Sequence, residues 1–191
     1  MTEIQRCAWC GTDPLYAAYH DEEWGLPERD PRALWEMLML EAFQAGLSWI
    51  TILRKREAFR QAFAGFDPAV IAGWGEGDIL RCLADPGIVR HRGKIEATIR
   101  GAQAFLRIEG EGGFAPFLWS FVGNRPVQSN IPSMAEVPAT TPAAAAMSKA
   151  LKARGFGFCG PTVVYAFMQA AGLVNDHLVT CPGHARAAAM G

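Results

Sequence analysis

The segment GFGFCGPTVVYAFMQAAGLVNDHLVTC, from Gly155 to Cys181, constrains the fold more than any other part of the chain. Gly155, Gly157 and Gly160 fall within six residues, and Pro161 follows directly. Glycine permits positive φ and close backbone approach, and proline suits the first turn of a helix. The apolar residues from about Thr162 to Ala171 predict a helix that Gly172 ends. Ser148 to Arg154 predicts a helix on the near side, so the segment reads as helix, glycine hairpin, helix. Such a hairpin turns several backbone N–H groups to one side, which suits an anion and phosphate above all. An ordinary helix–helix turn has the same outline. His177 and Cys181 close the segment four residues apart, the spacing of one helical face. His and Cys can fill two corners of a tetrahedral zinc site.

The rest of the chain is also punctuated as helices. Asp13-Pro14, Asp30-Pro31, Asp67-Pro68 and Thr141-Pro142 each place a capping side chain before a first-turn proline. They predict helices over about Asp13 to His20, from Asp30 to a stop at Gly46, from Asp67, and from Thr141 into the hairpin. Ser48 caps another over about Trp49 to Phe63, and further helices are expected near Asp78 to Ala84, Lys94 to Leu106 and Phe114 to Phe121. Gly123 to Pro142 is rich in Pro, Ser, Thr and Asn and reads as a long surface loop. There is no repeat and no strand signal, so the expected fold class is all-α.

Charge narrows the possible partners. The net charge of the 191 residues is −1, so a nucleic-acid role must rest on a local patch. The densest one is GIVRHRGKI, with Arg90, His91, Arg92 and Lys94, although a solvated face accounts for many charge runs. No apolar run approaches membrane-spanning length, and MTEIQRCAWC lacks the apolar core of a signal peptide. Five widely spaced cysteines without an export signal point to reduced thiols or metal ligands, and to a cytoplasmic protein.

Two groups of residues stand out chemically. Cys7, Cys10, His20, His177, Cys181 and His184 could all bind a metal; zinc needs four, and spacing alone does not choose among them. Glu41 falls on an apolar stripe made by Leu34, Met37, Leu38, Ala42 and Ala45. A carboxylate there is costly unless a buried partner or a helix end satisfies it, or unless it is used.

RCAW, DPLYAAYHDEEWG, EAFQAGLSWITIL, GIVRHRGKI and GFGFCGPTVVYAFMQAAGLVNDH, in this order, resemble the DNA-3-methyladenine glycosylase I family of helix-hairpin-helix DNA glycosylases. The resemblance runs from about Arg6 to Cys181. It implies one structural zinc held by Cys7, His20, His177 and Cys181, with Cys10 and His184 outside the set. It implies a monofunctional enzyme that flips 3-methyladenine out of double-stranded DNA and hydrolyses its glycosidic bond. Glu41 matches the pocket acid, Tyr19 a hydroxyl partner at the base edge, and Leu47 the wedge into the duplex. Trp49, with Trp9 and Tyr16, would stack on the base. Arg92, Lys94 and the hairpin N–H groups around Gly160 would hold phosphates. Residues 1–191 are expected to form a single monomeric unit, with the pocket between a helical body and a lobe built from the two termini. Related glycosylases carry, in a Val-Asp motif, an Asp that activates water or stabilises the sugar cation. The matching residue in VNDH is Asn175, followed by Asp176, so the resemblance leaves the water activator unassigned.

Other classes fit less well. A non-catalytic binder of damaged DNA would keep the hairpin and basic cluster but has no use for Glu41, Tyr19 and Trp49. A thiol oxidoreductase using Cys7 and Cys10 would want a strand before the motif and a thioredoxin-like pattern.

Overall fold

The protein is described by a computed structural model covering residues 5–191. Its helices are α1 (Pro14–Glu22), α2 (Pro31–Gln44), α3 (Trp49–Ala62), α4 (Pro68–Ile71), α5 (Glu76–Ala84), α6 (Arg92–Glu111), α7 (Phe114–Trp119), α8 (Pro142–Ala153), α9 (Pro161–Ala170) and α10 (Pro182–Ala188). The capping rule holds in detail. The side chains of Asp13, Asp30, Asp67 and Thr141 each accept from N–H groups of the first turn, one residue ahead of a proline. Ser48 stands at the start of α3, but its hydroxyl pairs with that of Thr51 instead of capping.

The long α2 runs through the interior. Leu34, Trp35, Leu38, Met39, Leu40 and Phe43 are buried on it, together with Glu41. α3, α6 and α9 pack around it. Phe59, Phe63 and Phe66 continue the core beside Phe43.

α8 and α9 form the expected hairpin, and its glycines have distinct uses. Gly155 ends α8 at φ +101°, a conformation that L side chains rarely adopt. At Gly157 a Cβ would stand 2.8 Å from Ala97 Cβ on α6, so glycine is required for the close approach. Gly160 has an ordinary φ of −65° and open space where a Cβ would point. The Ser148 hydroxyl donates to Cys159 O at 2.6 Å and ties α8 to the loop.

Three features differ from the sequence reading. Val127–Gln128 (β1) pairs in parallel with Val174–Asn175 (β2), so a short ladder lies where only loop and helix end were expected. Two residues per strand are too few to give a period-2 pattern. His177 and Cys181 do not share a helical face. Cys181 is extended, at φ −85° and ψ 133°, and only then does α10 begin. The residue before a proline is driven out of the helical region, and Pro182 follows Cys181. Finally, Lys94 does not belong to a surface cluster. It is 6% exposed, and its ammonium donates to Phe43 O at 2.9 Å and Ala45 O at 3.0 Å. These are orphan carbonyls at the end of α2, where a cation is favoured. Burial lowers the lysine pKa.

Lys94 thus holds the turn that carries Leu47. Lys94→Met is expected to leave those carbonyls unpaired and to cost about 1–3 kcal/mol. Thermal melting should show this as a fall of several degrees; an unchanged melting temperature would refute the clamp.

Candidate active site and metal centre

Four buried side chains from the two ends of the chain converge. The ligand atoms of Cys7, His20, His177 and Cys181 all lie within 4.8 Å of one another. Cys7 Sγ is 3.7 Å from His177 Nδ1, and Cys181 Sγ is 3.5 Å from His20 Nε2 and 3.7 Å from His177 Nδ1. A tetrahedron with Zn–S near 2.3 Å and Zn–N near 2.0 Å has edges of about 3.3–3.8 Å. The remaining ring nitrogens are held from outside. His177 Nε2 pairs with Trp24 O at 3.1 Å, and His20 Nδ1 with Asp21 Oδ1 at 2.8 Å. Such outer partners fix the ring orientation of metal ligands. Asp21 is in turn gripped by Arg6, whose hydrogen bonds hold its carboxyl down at about 2.

The packing around His177 leaves no room for side chains. A Cβ at Gly183 would lie 2.4 Å from its ring, and one at Gly25 2.9 Å away. The Cys₂His₂ set has no open position and fits a structural zinc. Cys10 and His184 lie outside it: Cys10 Sγ turns to Cys7 O at 3.2 Å.

Next to this centre lies a cavity of about 230 Å³. Trp9, Tyr16, Tyr19, Trp24 and Trp49 give it aromatic walls, and Glu41 reaches it from α2. The rings touch in sequence around the wall: Trp9 is 5.0 Å from Tyr16 and 4.9 Å from Trp24, and Tyr19 is 5.6 Å from Trp49. Burial, with the Glu41 carboxyl nearby, raises the Tyr19 pKa well above its ordinary value, so its hydroxyl stays a donor. Glu41 is 4% exposed, its Oε2 has no partner, and burial pushes its pKa up to about 8. Trp49 Nε1 is also buried without a partner. A larger depression of about 300 Å³ shares Tyr19 and Trp49 as a wall, but its Arg56 and Arg60 are already paired with Glu23 and Glu36. Unpaired buried polar atoms mark the first cavity as the one built for a ligand.

Glu41, Tyr19, Trp49, Trp9 and Tyr16, the residues expected at the base from the sequence, all line this cavity. Trp24, Gln44, Met134, Val137, Gln169 and Asp176 line it too and were not expected. Met134 and Val137 come from the long loop, where no periodicity gives a facing direction. The DNA-facing candidates are spread more widely. Leu47 is 43% exposed at the tip between α2 and α3, after Gly46 at φ +88°. Arg92 is exposed but paired with Glu76 at 2.6 and 3.0 Å, and with Glu96 at 3.4 Å.

A hairpin of this form beside an aromatic pocket that holds a buried acid is the arrangement that the resemblance to helix-hairpin-helix DNA glycosylases leads one to expect. Comparison with known proteins narrows the class. The family profile described as Methyladenine glycosylase matches residues 9–184. DNA-3-methyladenine glycosylase 1 of Escherichia coli (strain K12) is 53% identical over 179 residues, covering 93% of this chain and 96% of that protein. DNA-3-methyladenine glycosylase of Haemophilus influenzae is 50% identical over 178 residues, with the same coverage. A 3-methyladenine DNA glycosylase I crystallised in complex with 3-methyladenine superposes with a TM-score of 0.91 at 42% identity, over 94% of this chain and 97% of that one. The chain belongs to the methyladenine glycosylase family. Among the described residues, no helix is long and apolar enough to cross a membrane.

Two expectations follow from this geometry. Cys181→Ser should lower zinc below one equivalent per chain and destabilise the fold, by up to about 5 kcal/mol if the metal acts as a cross-link over so long a loop. Cys10→Ser should change neither. Elemental analysis with calorimetry checks both, and full zinc retention by Cys181→Ser would remove that cysteine from the set.

The second concerns Glu41 and pH. Below its ordinary value of 4.5, Glu41 is protonated in both folded and unfolded chains and adds no pH-dependent cost. Between 4.5 and about 8 the unfolded chain ionises while the folded one does not, so stability is lost as pH rises, by about 1.4 kcal/mol per unit. Glu41→Gln removes this loss. The melting temperature of the variant relative to the wild type should therefore climb from pH 4.5 to pH 8. A difference that stays flat across this window would contradict the buried, unpaired carboxyl.

Proposed function

We propose that the protein hydrolyses the N-glycosidic bond of 3-methyladenine in alkylated double-stranded DNA, after flipping the base, and that it does not cut the strand. The observation that carries this reading is Glu41, a buried and unpaired carboxyl in an aromatic cavity. A neutral purine offers little to offset the ionisation of such a group. Alkylation at N3 makes the base cationic, and a cation entering such a pocket is favoured both by a carboxylate and by aromatic faces. Selectivity for the damaged base then comes from charge and shape. The alkylated base is already a good leaving group, so the demand for acid–base power is modest.

In this reading the flipped base stacks on Trp49, with Trp9 and Tyr16 completing the aromatic wall. Glu41 accepts from its exocyclic amino group and Tyr19 stands at its edge. Leu47 fills the gap left in the duplex. The N–H groups at the start of α9, unshielded at Gly160, hold phosphate, and Arg92 joins them by exchanging its glutamates for the backbone. Zinc, when bound by Cys7, His20, His177 and Cys181, supplies structural cross-linking and no chemistry. No lysine lines the cavity among the described residues, and Lys94 is committed to backbone carbonyls, which supports hydrolysis without a Schiff base. We take residues 1–191 as one unit with the cavity between the helical body and the two ends of the chain, acting as a cytoplasmic monomer.

The test is release of free base from methylated duplex DNA, identified by chromatography. The wild type should release 3-methyladenine and leave the strand whole. Glu41→Gln keeps the shape but puts a donor where an acceptor is needed. It should bind duplex DNA normally and release base roughly 30- to 1,000-fold more slowly, the equivalent of about 2–4 kcal/mol. A wild type that binds methylated duplex without releasing base would instead be a non-catalytic damage-binding module.

A further inference from the structure

Glu41 is not the only carboxyl group of the cavity. Asp176 lines it too, at 2% exposure. Its two oxygens have different surroundings. Oδ2 accepts from the Tyr165 hydroxyl and from Gln169 Nε2, the latter at 2.8 Å. Oδ1 is buried and has no partner. Tyr165 and Gln169 are four apart on α9 and share one face. Two donors from one helix therefore grip one oxygen and leave the other buried in the cavity wall without a donor. A buried acceptor without a donor costs stability in proportion to its lost hydration. Neighbouring Asn175 is engaged elsewhere, with Nδ2 on Gln128 Oε1 at 2.7 Å and on His184 O at 3.0 Å.

The two carboxyl groups are not equivalent. No donor among the described residues orients Glu41, so it can adapt to whatever base enters. Asp176 is set before anything enters. A pre-set acceptor is what aligning a small nucleophile requires, because alignment then costs no reorganisation at the moment of reaction.

We propose that Asp176 is a catalytic residue of this pocket, whose free Oδ1 accepts a hydrogen bond from the attacking water and holds it for C1′ of the flipped nucleotide. Tyr165 and Gln169 are positioning residues for that oxygen. The assignment rests on the glycosidic hydrolysis proposed above. In the step, the bond between C1′ and N9 breaks and its electron pair passes to the base, which leaves as neutral 3-methyladenine. The water oxygen forms the new bond to C1′. The proton it sheds passes to solvent, so that C1′ gains oxygen as the base departs.

Asp176→Asn isolates the free atom. The amide oxygen can still accept from both Tyr165 and Gln169, while the amide nitrogen replaces the open acceptor with a donor. Two quantities separate the roles: the single-turnover rate of base release from methylated duplex, and the affinity for free 3-methyladenine read by quenching of tryptophan fluorescence. Asp176→Asn should slow release roughly 100-fold or more and leave the affinity for free base unchanged. Tyr165→Phe, which removes one donor from Oδ2, should slow release by a smaller factor, again without changing base affinity. Release at the wild-type rate by Asp176→Asn overturns the proposal, and so does a parallel loss of rate and base affinity, which would make Asp176 a base contact. Should Asp176→Asn fail to fold, Tyr165→Phe decides: an unchanged rate overturns the assignment. A wild type that releases no base overturns the parent reading, and this one with it.

Discussion

The convergence of Cys7, His20, His177 and Cys181 is the constraint on which the rest of the site depends. Three of the four ligands have a cavity residue within two positions in sequence. Trp9 is two residues from Cys7, Tyr19 precedes His20, and Asp176 precedes His177. Trp24 joins the two directly, since its carbonyl takes His177 Nε2 while its ring lines the cavity. Fixing the ligands therefore fixes a large part of the aromatic wall. The helical body supplies the opposite side through α2 and α3, with Glu41 and Trp49. A short β1–β2 ladder and a tight Cys181–Pro182 junction bring the far end of the chain to this point.

Against that rigid frame, the cavity keeps polar atoms that folding does not satisfy. Glu41 Oε2, Trp49 Nε1 and Asp176 Oδ1 are all buried without partners. Each is a cost in the empty protein that a ligand can relieve. The burden is affordable because the interior beneath is dense with aromatic side chains and because Lys94 and the helix caps satisfy the nearby backbone. Activity and stability pull in opposite directions at such a site. The same desolvation that raises the Glu41 pKa strengthens its attraction for a cation once the base is in place.

Much of this was legible in the sequence because it is local. Asp-Pro and Thr-Pro pairs announce helix starts through hydrogen bonds that span two or three residues. The glycine hairpin declares itself by composition, and Glu41 by interrupting an apolar stripe. What was not legible depends on distant partners. Lys94 looked like part of a surface basic cluster, because nothing in GIVRHRGKI reveals that the carbonyls of Phe43 and Ala45 lie above it. Asp176 looked incidental, because its donors sit on the preceding helix and its free oxygen has meaning only inside a cavity. His177 and Cys181 had the right identity but the wrong geometry, since helical spacing was assumed across a residue that Pro182 holds extended.

The closure of the two ends has a consequence for how the protein comes into being. His20 and Cys181 are 161 residues apart. At about 5–20 residues per second, a ribosome needs roughly 8–30 s to cover that distance. During this time the helical body can fold, while the N-terminal ligands and the rings beside them wait without partners. The metal centre can close only once Cys181 has been made, and a chain interrupted before it carries the hairpin without the complete ligand set that fixes the wall of the cavity. Order of synthesis thus becomes order of assembly: the hairpin that can grip a phosphate is made before the last ligand that fixes the wall of the pocket.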